Sequence, residues 1–426
     1  MNRLILIGNG FDKAHGLATS YPEFMDWYWE TWRNKLARSD KKIEKDALCT
    51  FTLKANLAGW YLAFGHYYGI DLLNCKGVEF RNFLESDKNG CEFGQCIFLK
   101  NINQSIDSKG WVDIEEEYYE ILKSILLNRN TGEFAYWNHP EKLNNELAEL
   151  TKYLAEYLAN VQKGSTYKSC EGMNKIFYGP ILQKDISVSN QKEFENNILY
   201  NLHLDRSEIA KLNKRYYGKD VEDQMQTLQE FKRKDYDEIT RFSKVVENDF
   251  LLESLSFPNR ILVLNFNYTN TESLYTDNKN GVDVVHIHGE LNNPDSIIFG
   301  YGDELDDDYK NMRKTNNNEF LRNIKSIRYL ESEKYREVLK FIESSPYQIC
   351  ILGHSCGNSD RTLLNTLFEH RNCVSIKPYY YQKGGNDNYM DLIENISRNF
   401  TDMKLMRDLV VNKKFCSPLP QFCKES

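Results

Sequence analysis

The sequence holds ten cysteines but no Cys-x-x-Cys pair, the closest two being Cys91 and Cys96, and it has only nine prolines in 426 residues. The first absence removes a four-cysteine zinc module and leaves reduced packing thiols as the plain reading. No apolar run reaches membrane-spanning length, and the stretch before Gly8 is shorter than a signal-peptide core. The expectation is a cytoplasmic protein with no membrane partner. Positive charge is in deficit too, with 54 Lys and Arg against 62 Asp and Glu and a net charge of −8. That balance argues against a broad basic surface, so nucleic acid is not an expected partner.

What is present begins at the first residues. An apolar run, Leu4-Ile5-Leu6-Ile7, ends at Gly8-Asn9-Gly10, where two glycines free the backbone to turn sharply and to approach a ligand without a Cβ in the way. The ordinary dinucleotide fingerprint needs a third glycine three residues on, and Lys13 stands there instead. Next, Ser20-Tyr21-Pro22-Glu23 reads as a capping box with proline in the first helical turn, and Phe24, Tyr28, Trp32 and Leu36 form one apolar stripe. A chain of this length exceeds one ordinary domain. No proline separates Pro22 from Pro140 or Pro180 from Pro258, which suits long helices, one of them carrying Leu143, Leu147, Leu150, Leu154, Tyr157 and Val161. Residues 26–250 are therefore expected to form a mainly helical insertion with a possible self-association seam.

Strand-like runs return at 261–265, 283–287, 297–299, 348–352 and 373–376. Short and apolar on both faces, they fit a parallel sheet that also takes residues 3–7. Residues 1–25 and 251–426 then make an α/β domain, and the segment around Pro418-Leu419-Pro420 lies over its surface. In such sheets ligands sit outside the carboxyl ends of the strands. Here those ends read Asn265-Phe266-Asn267-Tyr268-Thr269, His286-Ile287-His288-Gly289 and Gly353-His354-Ser355-Cys356-Gly357, all on the edge that Gly8-Asn9-Gly10 occupies.

These blocks carry a resemblance. Gly8-Asn9-Gly10-Phe11-Asp12 with Thr19-Ser20-Tyr21 resembles the AbiH family of bacteriophage abortive infection proteins, and Trp111-Val112-Asp113-Ile114-Glu115 is similar to a segment found there. The run from Gly8 through Gly16 to Tyr21 also resembles the first loop of sirtuin-like proteins. Asn265 to Thr269 is similar to their Thr-Gln-Asn-Ile-Asp, with Asn267 on the asparagine and Thr269 replacing the aspartate. His288-Gly289 is similar to their catalytic His-Gly, and Gly353-His354-Ser355 to their Gly-Thr-Ser. The resemblance implies a sirtuin-like, Rossmann-type parallel sheet, NAD as ligand or substrate, and a role in antiviral defence with an unknown phage trigger. It implies catalytic roles for Asn267 and His288; Asp12, at the tip of the glycine turn and standing where sirtuins carry serine, is by its chemistry a further catalytic candidate, suited to stabilise a developing cation or orient ribose. The resemblance implies NAD contacts from Gly8, Asn9, Gly10, Phe11, Gly16, Thr19, Asn265, Gly353, Ser355 and Asp360. Protein deacetylation is disfavoured, because the four-cysteine zinc ribbon of deacetylating sirtuins is absent.

Other readings stay open on the residues alone. Asn265 and Asn267 satisfy loop amides as readily as a ligand, and His288 is also a residue type that buries itself hydrogen-bonded. His286 and His288 alternate along a strand and allow a metal pair with an acid such as Asp12 or Asp113, which would make a metal-dependent nuclease or hydrolase. Gly353 to Gly357 matches a Gly-x-Ser-x-Gly nucleophile turn, but the only later histidine is His370 and the order of partners is wrong. Ser355 with Asn358, Ser359 and Asp360 instead suits the cap of a following helix. Asp113 and Glu115 read more simply as part of a solvated acidic face than as cleft residues. A catalytically silent nucleotide sensor completes the alternatives.

Overall fold

The computed structural model describes residues 1–39, 41–53, 74–86, 91–128, 139–164, 168–194, 257–277 and 281–422. The proline-free stretch expected to be helical after 194 lies largely outside them. Five strands form one sheet: β1 (Asn2–Ile7), β5 (Ile261–Asn265), β6 (Val282–His286), β7 (Tyr347–Leu352) and β8 (Cys373–Tyr379). Their spatial order is β6-β5-β1-β7-β8, and all four pairings are parallel. The chain therefore winds outward from β1 in one direction and then, from β7, in the other. The place where direction reverses, between β1 and β7, is the switch point at which doubly wound sheets open a crevice.

Alternation within β1 explains why both faces are covered. Leu4 and Leu6 join a core with Leu262, Leu264, Ile349 and Ile351 under helices Lys334–Ser344, Arg361–Phe368 and Tyr389–Arg398. Ile5 and Ile7 face the opposite way, onto Phe11, Val263, Cys350 and helix Glu171–Tyr178 through Met173, Ile176 and Phe177. Successive strand residues point to opposite faces, so an unbroken apolar run is the signature of this two-sided burial. The buried Arg3 precedes the run, and its Nη1 donates to the carbonyls of Ile176, Phe177 and Gly179 at the end of that helix while its Nε is left without a partner.

Much of the described part of the expected insertion packs around one core, which Ile297, Phe299, Tyr301, Met312 and Phe320 also enter. Helix Tyr21–Arg38 starts at the Ser20/Glu23 capping box, and its stripe of Phe24, Tyr28, Trp32 and Leu36 is buried. Helix Pro140–Gly164 presents Leu143, Leu147, Leu150, Leu154 and Tyr157 to the same core, so those side chains are consumed within the fold. Three points differ from the sequence reading. The insertion contains an antiparallel sheet of β2 (Ile43–Lys45), β3 (Cys49–Leu53) and β4 (Cys91–Gln95). Helix Glu171–Tyr178 belongs with the parallel sheet rather than with the insertion. Residues 297–299 are not a strand: Ile297 and Phe299 enter the insertion core while Ile298 enters the sheet core, and burial between two cores makes the run apolar without a ladder. The Pro418 segment is also more than a cover, since Leu419 is buried against the sheet face and its N–H bonds Tyr380.

The register places Ile7 beside both Asn265 and Leu352, so the loops after β1, β5 and β7 leave the sheet side by side. Two of them interlock. A Cβ on Gly8 would lie 2.5 Å from the His354 Cα, and one on Gly10 would lie 2.7 Å from the Gly353 Cα. The glycines of the first loop thus serve close backbone packing as much as ligand approach. Gly353 is the most constrained, with φ +72 and a virtual Cβ only 2.1 Å from the Phe11 nitrogen, whereas Gly16 has φ +82 and open space. By urea denaturation, Gly16→Ala is expected to cost about 1–2 kcal/mol, the left-handed penalty alone. Gly353→Ala is expected to cost clearly more than that or to prevent folding.

Candidate functional site

A cleft of about 760 Å³ opens over the switch point. That volume is in the range of small-molecule sites. Its lining includes Gly8, Asn9, Gly10, Asp12 and Thr19 from the first loop and helix, Asn267 after β5, His288 after β6, and Gly353, Ser355 and Asp360 after β7. Trp111, Asp113 and Glu115 reach it from the insertion. Phe11, Gly16 and Asn265 do not line it, contrary to their expected contact with NAD. Phe11 is buried in the sheet core against His15, Phe177 and Tyr275, and Gly16 ends the first helical turn in solvent. Asn265 spends its amide nitrogen on the Thr269 carbonyl and Glu272, and its Oδ1 accepts from the Asn267 N–H.

The acid of the first loop is the most perturbed group facing the cleft from that side. Asp12 is 2% exposed, its Oδ2 accepts a 2.6 Å bond from the Thr269 hydroxyl, and its Oδ1 has no hydrogen-bond partner. Burial, helped by the nearby Glu272 carboxylate, pushes its pKa up to about 6 against the pull of Thr269. Thr269, standing where the resembled family has an acid, therefore orients an acid supplied by another loop. Asn267 hangs beside it, with its Nδ2 donating to the Gly8 carbonyl at 3.0 Å. This bond ties the β5 loop to the glycine turn and leaves the amide oxygen as the group Asn267 can offer elsewhere.

On the other side of the cleft one carboxylate organises two histidines. Asp360 Oδ1 lies 2.8 Å from Lys325 Nζ and 3.2 Å from His288 Nε2, and its Oδ2 lies 3.4 Å from His354 Nε2. Burial alone would raise the Asp360 carboxyl, but Lys325 and His288 outweigh it and hold it well below the usual range. An ionised carboxylate only accepts, so both Nε2 atoms must donate. The Cys356 N–H fixes the His354 tautomer independently by donating to its Nδ1 at 2.9 Å, from a backbone turned to φ 55 at Cys356. For His288, burial and Lys325 push the pKa down despite Asp360, so the ring is neutral with its basic lone pair on Nδ1. Asp360 does not cap helix Arg361–Phe368 as the sequence suggested, since no side-chain cap bond is made there and its oxygens face the cleft network.

The network extends into the insertion. Lys325, 0% exposed, also donates to Glu115 Oε2 at 2.8 Å, while Glu115 Oε1 accepts from the Gly300 N–H. Burial raises the Glu115 pKa, Lys325 opposes this, and Asp360 and Asp113 add to it. The expected solvated acidic face is thus corrected: Glu115 is buried, and Asp113 caps helix Ile114–Asn128 with one oxygen on the N–H groups of Glu115 and Glu116. Tyr21, Tyr268 and Tyr329 surround these carboxylates, and burial together with their negative charge keeps all three hydroxyls protonated. Neither Lys325 nor Tyr329 belongs to a recognisable motif, so only the fold reveals them.

The competing chemistries fare differently. His286 Nε2 pairs with Glu272 at 2.9 Å and does not line the cleft, so it and His288 do not face one ion. Among the described residues no group of three or more His, Cys, Asp or Glu side chains is arranged to hold a metal. His370 pairs with Glu343 at the opposite edge of the sheet, out of reach of Ser355. Among the described residues no helix is long and apolar enough to cross a membrane.

Fold and site together define an α/β protein with a five-stranded parallel sheet whose cleft is completed by an insertion. The chain belongs to the bacteriophage abortive infection AbiH family, whose model matches residues 4–381. No curated protein and no solved structure matches it. Membership gives it the family's role in abortive infection, a defence against phage.

Two predictions follow from the buried charges. Lys325→Met strands two carboxylates in the interior and is expected to cost about 3–5 kcal/mol by denaturant unfolding. Adding Glu115→Gln and Asp360→Asn to it restores most of that loss. Asp12 behaves in the opposite sense, because its folded pKa of about 6 lies above the unfolded value of 3.8. The folded state then binds more protons than the unfolded one between those values, and stability is lost as pH rises through them. Asp12→Asn is expected to add about 2–3 kcal/mol at pH 8 and nothing below about pH 3, read as the pH dependence of the unfolding midpoint.

Proposed function

We propose that the cleft binds NAD or a related nucleotide and hydrolyses the bond between nicotinamide and ribose, so that an infected cell stops supporting phage growth. In this reading the parallel sheet is sirtuin-like, the protein works in the cytoplasm, and self-association rests with the insertion. The observation that carries the proposal is the gathering of Asp12, Asn267 and His288, from three separate strand ends, around one cleft at the switch point.

The reaction needs three services. As the C1′–N bond breaks, the electron pair leaves with nicotinamide and positive charge develops on the sugar. The unpartnered Oδ1 of Asp12 is a group for that charge or for a ribose hydroxyl. Water must attack C1′ and shed a proton, and His288 is the suitable base, with Nε2–H pinned by Asp360 and Nδ1 available. Asn267 supplies an oriented amide oxygen for the water or the sugar. The balance is NAD plus water giving ADP-ribose, nicotinamide and a proton.

Purified protein incubated with NAD is expected to release nicotinamide, measured by chromatography. Asn267→Ala and His288→Ala are expected to lower the release at least 100-fold while circular dichroism stays unchanged. The rate should also fall below about pH 6, as Asp12 takes up its proton. NAD binding without release would reduce the proposal to a nucleotide sensor, and no binding at all would refute it.

A further inference from the structure

Trp111 is 57% exposed and is among the residues lining the cleft, two positions before Asp113. An exposed aromatic face on a polar cleft offers stacking area to a flat ligand group. Carboxylates dominate the charged groups that line the cleft. Asp12, Asp113, Glu115, Asp360 and Asp391 line the cleft, against Lys13, whose ammonium is paired with Glu23. Lys325 offers no counterweight, because Glu115 and Asp360 consume it. Independently of this cluster, Asp12, 2% exposed and part of the same lining, keeps one carboxylate oxygen without a hydrogen-bond partner. The indole itself already attracts a cation: Lys109 Nζ lies 6.0 Å from its centroid, at the outer limit of a cation–π contact.

We propose that Trp111 and Asp113, both carried by the insertion, form a subsite for a planar cationic ring, the positively charged nicotinamide of an oxidised dinucleotide. This rests on the reading that the cleft takes NAD, and it makes the insertion the element that selects oxidised over reduced cofactor. Reduction removes the ring's positive charge while the pyrophosphate keeps its own. The reduced dinucleotide therefore brings one more net negative charge into a cleft lined by carboxylates, and it loses the cation–π contact with the indole.

Calorimetry at pH 8 with carba-NAD, whose glycosidic linkage resists hydrolysis, and with NADH and ADP-ribose tests this on the intact protein. Wild type is expected to bind carba-NAD about tenfold tighter than NADH. Trp111→Ala should weaken carba-NAD roughly 3- to 30-fold and leave ADP-ribose, which lacks the ring, unchanged, and Trp111→Phe should recover part of the loss. Asp113→Asn keeps an oxygen for the helix cap and should narrow the gap between carba-NAD and NADH. Equal binding of all three ligands, or an equal effect of Trp111→Ala on all three, overturns the subsite and leaves the NAD reading intact. Failure of all three to bind overturns both.

Discussion

A lysine ammonium sealed from water between two carboxylates is a demanding thing to build. Lys325 holds Asp360, at the end of the β7 loop, and Glu115, at the start of an insertion helix, each at 2.8 Å. Burying each of these ions costs several kcal/mol, which only their mutual attraction and added hydrogen bonds offset. The arrangement is weak as a source of stability and strong as a constraint. It fixes where the insertion meets the sheet, and through Asp360 it fixes which nitrogens of His288 and His354 carry protons. The placement of the His288 ring is in this sense set from a different part of the chain.

The opposite wall holds its strain differently. Asp12 is kept buried with one oxygen unpaired, and the interlocked glycines at 8, 10 and 353 let the two central loops touch backbone to backbone. An interior that places an unpaired carboxylate oxygen beside a cleft gives up stability there, and such concessions cluster where a ligand supplies the missing partner. The two walls therefore differ in kind: one is over-determined by charge pairing, the other is left short of a donor.

Much of this was legible in the residues. The apolar runs at 3–7, 261–265 and 348–352 named three adjacent strands, and the polar residues that end them named the cleft, because a parallel sheet puts all its carboxyl ends on one edge. The capping box at Ser20 and the stripe after it located a helix to the residue. The errors have a common physical source. Asn265 and Asn267 look alike in sequence, yet one side chain points into the β5 loop and is fully bonded there, while the other reaches the glycine turn. The run at 297–299 is apolar because two cores meet on it, which periodicity reads as a strand. Glu115 sits in an acidic run that looks solvated, and the cation that buries it is more than 200 positions away in the chain.

The proposed occupant of the cleft over the β1/β7 switch point is one dinucleotide-sized ligand. Hydrogen–deuterium exchange with and without saturating NAD tests it most directly. Slowed exchange is expected, confined to the loops after β1, β5, β6 and β7 together with the start of helix Ile114–Asn128. Unchanged exchange in those segments, or protection elsewhere in the chain, would contradict it.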